Sequence, residues 1–194
     1  TLGQELDLLE RYIDIQLIRF EDRFACEIEV DDALMSCMVP KLVLQPIVEN
    51  AVIHGVRDMD DGYIKIWAER DAEDLRLFVQ DNGCGMEKPQ DGPLGFGVSG
   101  RPGEHLGMFN VDSILRLHFG DAYGLSVRSK PGEGCLVMVR LLSSKPSVPN
   151  AAARSSSVAA LSRASIGRRW AARSSARRRA GKKGLRWRGS SNRN

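Results

Sequence analysis

A break in composition at residue 143 limits which part of the chain can fold. Residues 143–194 contain 14 Lys and Arg but no Asp or Glu, whereas residues 1–142 contain the other 14 basic residues and all 25 acidic ones. The front part therefore carries a charge of −11 (14 − 25) and the back part +14. Arg, Ser and Ala dominate the back part, and too few apolar residues remain to offset the entropy of ordering it. We expect 143–194 to be disordered and the folded core to lie within 1–142.

The basic tail has two interpretations. Its clusters at 177–179 and 182–183, with Trp170 and Trp187 nearby, are typical of a segment that binds nucleic acid or an anionic surface. The abrupt and acid-free change in composition is more typical of a non-native extension, such as an out-of-frame read-through, and we favour that interpretation. The whole-chain charge of +3 therefore indicates no partner.

Several classes of protein are excluded by the remaining pattern. The chain has no run of about 18 apolar residues, so we expect no membrane-spanning helix within it. Its first residues lack the basic and apolar pattern of a signal peptide. Four cysteines stand singly, without the spacing of a zinc site, and we expect free thiols in a reducing compartment. They are Cys26, Cys37, Cys84 and Cys135.

Within 1–142, the spacing of apolar residues alternates between the helical period and the strand period. Helices are predicted over 2–20, 42–54 and 106–119, with Gly55 ending the second. Strands are predicted over 24–30, 63–68, 75–80, 125–129 and 135–142. The glycine- and proline-rich stretch 83–104 is predicted to hold no regular structure. Because the strands arrive in neighbouring pairs, we expect an α/β fold, a two-layer sandwich with a mixed sheet and helices on one face, preceded by an N-terminal helix.

Three pieces of the sequence carry polar residues suited to binding. Glu49, Asn50 and His54 interrupt the apolar second helix, where each needs a partner if buried, unless the helix edge meets solvent there. Asp81 ends a strand and starts an Asp-x-Gly-x-Gly string, which lets backbone approach a ligand while the carboxylate accepts from an amino group. A glycine-rich run then leads to the N-terminus of the third helix, where N–H groups and the helix dipole favour phosphate. Taken alone, the second piece also occurs in ordinary turns and the third in surface loops.

Taken in order, these pieces resemble the ATP-binding domain of the histidine kinase, Hsp90 and gyrase group, and more narrowly the C-terminal part of LytS-like sensor histidine kinases. The resemblance covers residues 1–142 and none of the tail, and it implies a Bergerat-type ATP-binding fold. The segments that carry it are Glu5-Leu6, Tyr12-Ile13, Arg19-Phe20, Val39-Pro40, 44–51, His54-Gly55, 81–86, 105–111, 115–120 and 132–134.

The resemblance implies a role for each matching side chain. Asn50 would coordinate the Mg²⁺ ion that bridges the ATP phosphates. It would be a catalytic residue together with Glu49, next to it in the sequence, and His54, one turn on and near the phosphates. Asp81 would accept the adenine amino group. Residues 87–105 would form the lid over the nucleotide. Positioning and charge neutralisation supply most of the catalysis in phosphoryl transfer, so this residue set suits the chemistry.

The resemblance also implies where the backbone approaches the nucleotide. Gly83 and Gly85 would let the chain pass close to it, and Gly132 and Gly134 would close the adenine end. Backbone N–H groups from Gly107 to Asn110 would face the phosphates.

Three residues depart from the family pattern. Pro46 stands where gyrase-like ATPases have the Glu that activates water, which favours transfer to a protein side chain over water splitting. His105 replaces a Gly and Cys135 replaces a Thr, and we expect both changes to weaken binding modestly.

The resemblance implies three regions: 1–22 as the end of a dimerisation helix hairpin, 23–142 as the ATP-binding catalytic domain, and 143–194 as the tail. Ile15 and Ile18 fall off the apolar stripe of the first helix, as expected if a second helix packs there. The family's phosphoacceptor histidine lies on an upstream helix, so we expect a fragment that binds ATP without autophosphorylating. In the full-length family members, which are homodimers in the plasma membrane with this domain in the cytoplasm, the phosphoryl group passes on to a response regulator.

Two other functions remain open. One is a related serine kinase that inactivates an anti-sigma-factor antagonist. The other is a non-catalytic nucleotide-binding fragment whose basic tail binds nucleic acid. The segment Leu-Gln-Pro-Ile-Val-Glu-Asn at 44–50 and the preceding helix favour the sensor kinase.

Overall fold

A six-stranded mixed sheet organises the computed structural model, which describes residues 1–86, 90–94 and 106–142. The strands are β1 (Phe24–Glu29), β2 (Gly62–Asp71), β3 (Asp74–Asp81), β4 (Gln90–Pro93), β5 (Gly124–Ser129) and β6 (Cys135–Leu142). They lie in the order β1-β2-β3-β6-β5-β4. β1 runs parallel to β2, and every other neighbouring pair is antiparallel. The predicted mixed sheet is confirmed, while the predicted disorder of 143–194 lies outside the described residues.

Three α-helices and two short helical segments accompany the sheet. They are α1 (Leu2–Arg19), a 3₁₀ helix (Asp32–Leu34), α2 (Gln45–Asn50), a π-helix (Ala51–Val56) that continues α2 directly, and α3 (Leu106–Phe119). Thr1 caps α1 through a capping box with Gln4, which satisfies backbone groups that the first turn leaves unpaired. Among the helices of the described ranges, none has the length and apolar composition needed to cross a bilayer.

The π-helix and α3 cover one face of the sheet, as the sequence predicts for the helices of the domain. Leu75, Leu77 and Val79 of β3 alternate with less buried residues and point into the core. The π-helix contacts β2 and β3, and α3 contacts β5 and β6. On the opposite face Trp67 and Phe78, which are register partners, stack with their ring centroids 4.8 Å apart. The chain is therefore a two-layer sandwich, with its core between the helices and one side of the sheet.

The apolar stripe of α1 is the one that the periodicity predicts. Leu6, Leu9 and Ile13 are buried, whereas the side chains of Ile15 and Ile18 are 62% and 81% exposed. The two isoleucines thus form part of an outward apolar face that the described part of the chain leaves uncovered.

The prediction that 83–104 holds no regular structure is wrong, because this stretch contains strand β4 (Gln90–Pro93). β4 pairs antiparallel with β5 at the edge of the sheet, with Asp91 opposite Arg128. Proline is tolerated on an edge strand, since one side of such a strand needs no partner. Composition alone therefore did not predict β4, because this strand forms through its pairing with β5.

The bounds predicted for the second helix are also wrong at both ends. Leu42 has a φ of 59°, in the left-handed region, so the helix predicted over 42–54 begins only at Gln45. Pro46 then stands in its first turn, where the missing N–H is harmless. At the other end, the segment passes through Gly55 and stops at Val56 in the π-helix. Gly55 is therefore inside the helical segment and does not end it.

Candidate functional site

A buried carboxylate lies at the end of β3. Asp81 is only 6% exposed, and its Oδ1 accepts a hydrogen bond of 2.8 Å from the Gly83 N–H. Burial raises the pKa of Asp81 from 3.8 to about 6, and this rise is opposed by hydrogen bonds from the backbone N–H groups of Gly83 and Cys135. An ionised carboxylate only accepts hydrogen bonds, and its two oxygens have lone pairs beyond those used here. Asp81 is therefore suited to receive a donor from a ligand.

The π-helix passes directly over Asp81. A Cβ added to Gly55 would lie 2.9 Å from Asp81 Oδ1, so any other residue there would have to displace the carboxylate. A Cβ on Gly83 would in turn lie 2.5 Å from the Cα of Gly55. The Cys84 N–H donates to the Gly55 carbonyl at 3.4 Å, and its Sγ lies 3.1 Å from the His54 carbonyl oxygen. The Asp-x-Gly-x-Gly loop and the end of the helical segment are thus packed backbone on backbone.

Asn82 ties the same loop to the start of β2. Its Oδ1 accepts from the Tyr63 N–H at 2.7 Å, and its Nδ2 donates to the Asp61 carbonyl at 3.1 Å. Its own N–H donates to the Tyr63 carbonyl at 3.1 Å. These three bonds fix the point where β3 ends. The sequence analysis assigned no role to Asn82, although its position next to the strand-end Asp81 is a pattern that could have indicated one.

The turn between β5 and β6 holds the loop from the other side. The Gly132 N–H donates to the Cys84 carbonyl at 2.7 Å. Ser129 Oγ accepts from the Met86 N–H at 2.9 Å and donates to the Gly134 carbonyl at 2.8 Å. The sequence offered no signal for Ser129, since a serine in a strand rarely indicates such a bridge.

Gly85 and Gly134 have positive φ angles of 69° and 78°. A Cβ on Gly85 would meet the Lys130 carbonyl, and a Cβ on Gly134 would meet that of Asp81. Close chain packing thus requires glycine at both positions, whatever else they contact.

The polar residues of the second helix lie on its solvent edge. Asn50 is half-buried at the end of α2, whereas Glu49 and His54 are exposed. Of the two alternatives weighed from the sequence, a helix edge meeting solvent describes Glu49 and His54. Asn50 precedes Gly55 by five residues, which corresponds to about 7 Å along a helix. The continuous helical segment Gln45–Val56 therefore places Asn50 a short distance along the helix from Gly55, the residue that packs over Asp81.

The first turn of α3 packs against the first turn of α2. A Cβ on Gly107 would lie 3.0 Å from Pro46 Cβ, so the two helix starts are in contact. Asn110 is exposed one turn further along α3. The positive end of the α3 dipole thus lies beside α2. Of the predicted lid, 87–89 and 95–105 lie outside the described residues, including His105, and 90–94 contains β4.

The site is therefore assembled from two groups of predicted residues. Direct contacts bring together Asp81 and the four glycines around its loop, namely Gly83, Gly85, Gly132 and Gly134. Helix continuity joins Asn50 to this group, and Pro46 joins Gly107 to α2. Within 1–86, 90–94 and 106–142, no three His, Cys, Asp or Glu side chains cluster as they would to hold a metal ion. A cation bound here would need ligands of another kind.

This fold and loop geometry define a class of ATPase domain. The family model for histidine kinase-, DNA gyrase B-, and HSP90-like ATPases matches residues 39–145, and the chain belongs to this family. It is 32% identical over 142 residues to the sensor histidine kinase YesM of Bacillus subtilis, an alignment that covers 73% of this chain and 23% of YesM. It is 38% identical over 88 residues to the sensor protein LytS of Staphylococcus haemolyticus, covering 45% of this chain and 15% of LytS. The resemblance to LytS-like sensor kinases is thereby confirmed.

A solved structure supports the same fold. The catalytic domain of the histidine kinase ThkA superimposes with a TM-score of 0.53 at 16% identity, covering 73% of this chain and 93% of that domain. At this identity the likeness shows the fold alone, and it confirms the Bergerat-type α/β architecture. The chain spans about a quarter or less of the length of the two curated relatives.

Proposed function

We propose that residues 23–142 bind Mg²⁺·ATP and act as the kinase domain of a two-component sensor histidine kinase. The γ-phosphoryl group would pass to a histidine on a helix outside this chain and then to a response regulator. The observation that carries the proposal is the buried Asp81 carboxylate at a strand end, roofed by Gly55 in a family of ATPases. Burial raises the pKa of this carboxyl group in spite of two backbone N–H partners, and the cost of keeping an acid there supports a functional role for it.

The adenine end of the proposed site is Asp81. With a pKa of about 6, the carboxyl group is mostly ionised at pH 7 and acts only as an acceptor. The adenine amino group is a donor of the matching kind. Gly83 and Gly85 would let the nucleotide approach the loop, and Gly132 and Gly134 would close this end.

The phosphate end of the proposed site is α2 with the start of α3. Asn50 fits a magnesium site, because Mg²⁺ prefers oxygen ligands and is usually held by one or two protein groups, substrate phosphates and water. When bound, the ion would neutralise charge that develops on the phosphates. Glu49 and His54, exposed beside Asn50, are the proposed catalytic residues, and backbone N–H groups from Gly107 to Asn110 would face the phosphates.

Transfer to a protein side chain fits the site better than water splitting does. Pro46 occupies the place of a water-activating Glu, and it packs against Gly107. A proline has no group that accepts a proton from water. We therefore expect little ATP hydrolysis by this chain, and no autophosphorylation without the acceptor helix.

Residues 1–22 are proposed to be the end of a dimerisation hairpin in a homodimeric membrane sensor, with this domain on the cytoplasmic side. The exposure of Ile15 and Ile18 on α1 supports this assignment, since such a face is typical of a helix that packs against another. The basic segment 143–194 has no role in the proposal.

The test is isothermal titration of the full 194-residue chain with ATP, with and without Mg²⁺, and with adenosine. Asp81→Asn is expected to weaken both ligands about tenfold or more, because a hydrogen bond to a charged group is lost. Asn50→Ala is expected to weaken only the Mg²⁺-dependent part of ATP binding. Asp14→Asn, an exposed carboxylate change on α1, is the matched control. Unchanged affinity in both site variants contradicts the proposal.

A further inference from the structure

Glu5 is a buried acid on α1 that is not one of the residues of the proposed nucleotide site. It is 5% exposed, and its two carboxylate oxygens accept from backbone N–H groups of the segment before α2. Oε2 accepts from Leu42 at 2.9 Å, and Oε1 accepts from Leu44 at 3.1 Å. The bonds span 37 and 39 residues of sequence, so they are tertiary ties between α1 and the start of α2.

The segment that Glu5 holds has little local support. Leu44 precedes α2 as its N-cap residue, yet its side chain cannot accept a hydrogen bond, and α2 has no side-chain cap. Leu42 has a φ of 59°, a conformation that is costly for a side chain of this kind. A strained conformation persists only when its surroundings hold it in place. The Glu5 carboxylate is the group that satisfies the N–H of this strained residue.

Other contacts show that α1 and the segment leading to α2 form one unit. The Leu2 N–H donates to the Cys37 carbonyl at 2.8 Å, and the Gly3 N–H donates to the Met35 carbonyl at 3.0 Å. Farther along α1, burial raises the pKa of Tyr12 to about 12, and the negative charge of Glu49 adds to this rise.

We propose that Glu5 is a positioning residue that fixes α2, and with it Asn50, relative to α1. The inference rests on the proposed function, because Asn50 matters only if it holds the metal of Mg²⁺·ATP. A displacement of α1 at its first turn would then shift the phosphate end of the site. The adenine end would stay in place, because Asp81 is held by the π-helix and by the turn between β5 and β6.

The experiment uses Glu5→Gln in the full chain. The substitution keeps the side-chain size, but it replaces one acceptor oxygen by an amide donor that faces a backbone N–H. Hydrogen exchange of the nucleotide-free protein should become faster by about tenfold or more for amides 42–50, with β3 and β6 unchanged. In titrations, Mg²⁺·ATP should bind about tenfold or more weakly, while adenosine affinity stays within about twofold. Asp14→Asn again serves as the control, and Glu5→Asp, with a shortened carboxylate, should give intermediate values.

The outcomes separate the inference from the proposed function. If amides 42–50 exchange at the wild-type rate in both Glu5 variants, the inference is overturned. It is also overturned if adenosine and Mg²⁺·ATP bind equally more weakly, because equal weakening indicates a merely structural role. If Glu5→Gln does not fold, the same two readouts on Glu5→Asp decide. If the unsubstituted chain binds no Mg²⁺·ATP, the proposed function fails, and the exchange measurement still tests whether Glu5 fixes α2.

Discussion

The ionisation of Asp81 should leave a measurable signature in the stability of the nucleotide-free protein. The side chain is buried beneath Gly55, where few groups replace the water that an ionised carboxylate loses. The N–H groups of Gly83 and Cys135 offset only part of this loss, and the pKa of Asp81 remains raised to about 6. The charge that suits a nucleotide is therefore a cost to the unliganded fold.

The sign and size of the effect follow from the two pKa values. Unfolded, the group titrates near 3.8, and folded it titrates near 6. Between these values the folded state retains a proton that the unfolded state has lost, so raising the pH across the window favours unfolding. The contribution is almost fully lost by pH 7, and the whole difference in pKa corresponds to about 3 kcal/mol. At pH 4 the unfolded group is already partly ionised, and Asp81→Asn lacks the group altogether, so the free energy of unfolding of the variant relative to wild type should rise by about 2.4 kcal/mol between pH 4 and pH 7.

Urea unfolding of the full chain, followed by circular dichroism at pH 4, 5, 6 and 7, measures this difference directly. Taking the variant minus the wild type cancels the titration of the other carboxyl groups, which the two proteins share. Asp14→Asn, which changes an exposed carboxylate on α1, is the matched control. Parallel profiles for Asp81→Asn as well would refute the argument that burial governs this group.

Two further predictions concern the framework around the site. Gly83→Ala would place a methyl group 2.5 Å from Gly55 Cα and should cost about 3 kcal/mol or more of unfolding free energy. Gly132→Ala, whose added Cβ meets nothing within 4 Å, should cost only about 1 kcal/mol for its positive φ, and equal losses in urea titrations would contradict the steric argument. Asp112 accepts from the Leu125 N–H at 2.7 Å in a buried position, so Asp112→Ala should lower stability by about 2 kcal/mol, and a thermal midpoint equal to wild type would disprove that role.

Periodicity predicted the elements whose apolar residues face one common core. α1, α3 and the two strands of the final hairpin lie where the sequence places them, because burial on one face leaves a pattern of 3.6 or 2 residues. β2 and β3 are longer than predicted, and they extend until Asp71 pairs with Asp74 around a tight turn. The residues that β2 adds at this turn, 69–71, are exposed, so no burial pattern marks them.

The failures share a physical cause, which is that distant partners decide the local structure. The apolar run at 42–44 looks helical, yet the Glu5 carboxylate holds it in another conformation from 37 residues away. β4 contains Gly92 and Pro93, both poor strand formers, and it forms because β5 offers an unpaired edge. No window of local sequence contains either partner.

The glycines of the site show how much a resemblance can predict. It implied that Gly83 and Gly85 let the chain approach a nucleotide and that Gly134 helps to close the adenine end, and both expectations remain predictions. The structure adds that each is also required where one backbone crosses another. Gly55 was taken from its position after a helical pattern as a terminator, whereas its missing side chain serves the contact with Asp81. A sequence pattern indicates that glycine is needed, but only the fold shows what would collide.

The two ends of the proposed site are held in physically different ways, and this difference makes them separable. The Asp81 end is held by backbone crossings at Gly83 and Gly134, where even one added methyl group would collide with the facing backbone. Such contacts fail together with the fold, because neither chain can shift alone. The Asn50 end depends in addition on two backbone hydrogen bonds that the single side chain of Glu5 accepts. Because those bonds can weaken while the core remains packed, we expect the proposed metal-holding end to respond to α1 without loss of the proposed adenine end.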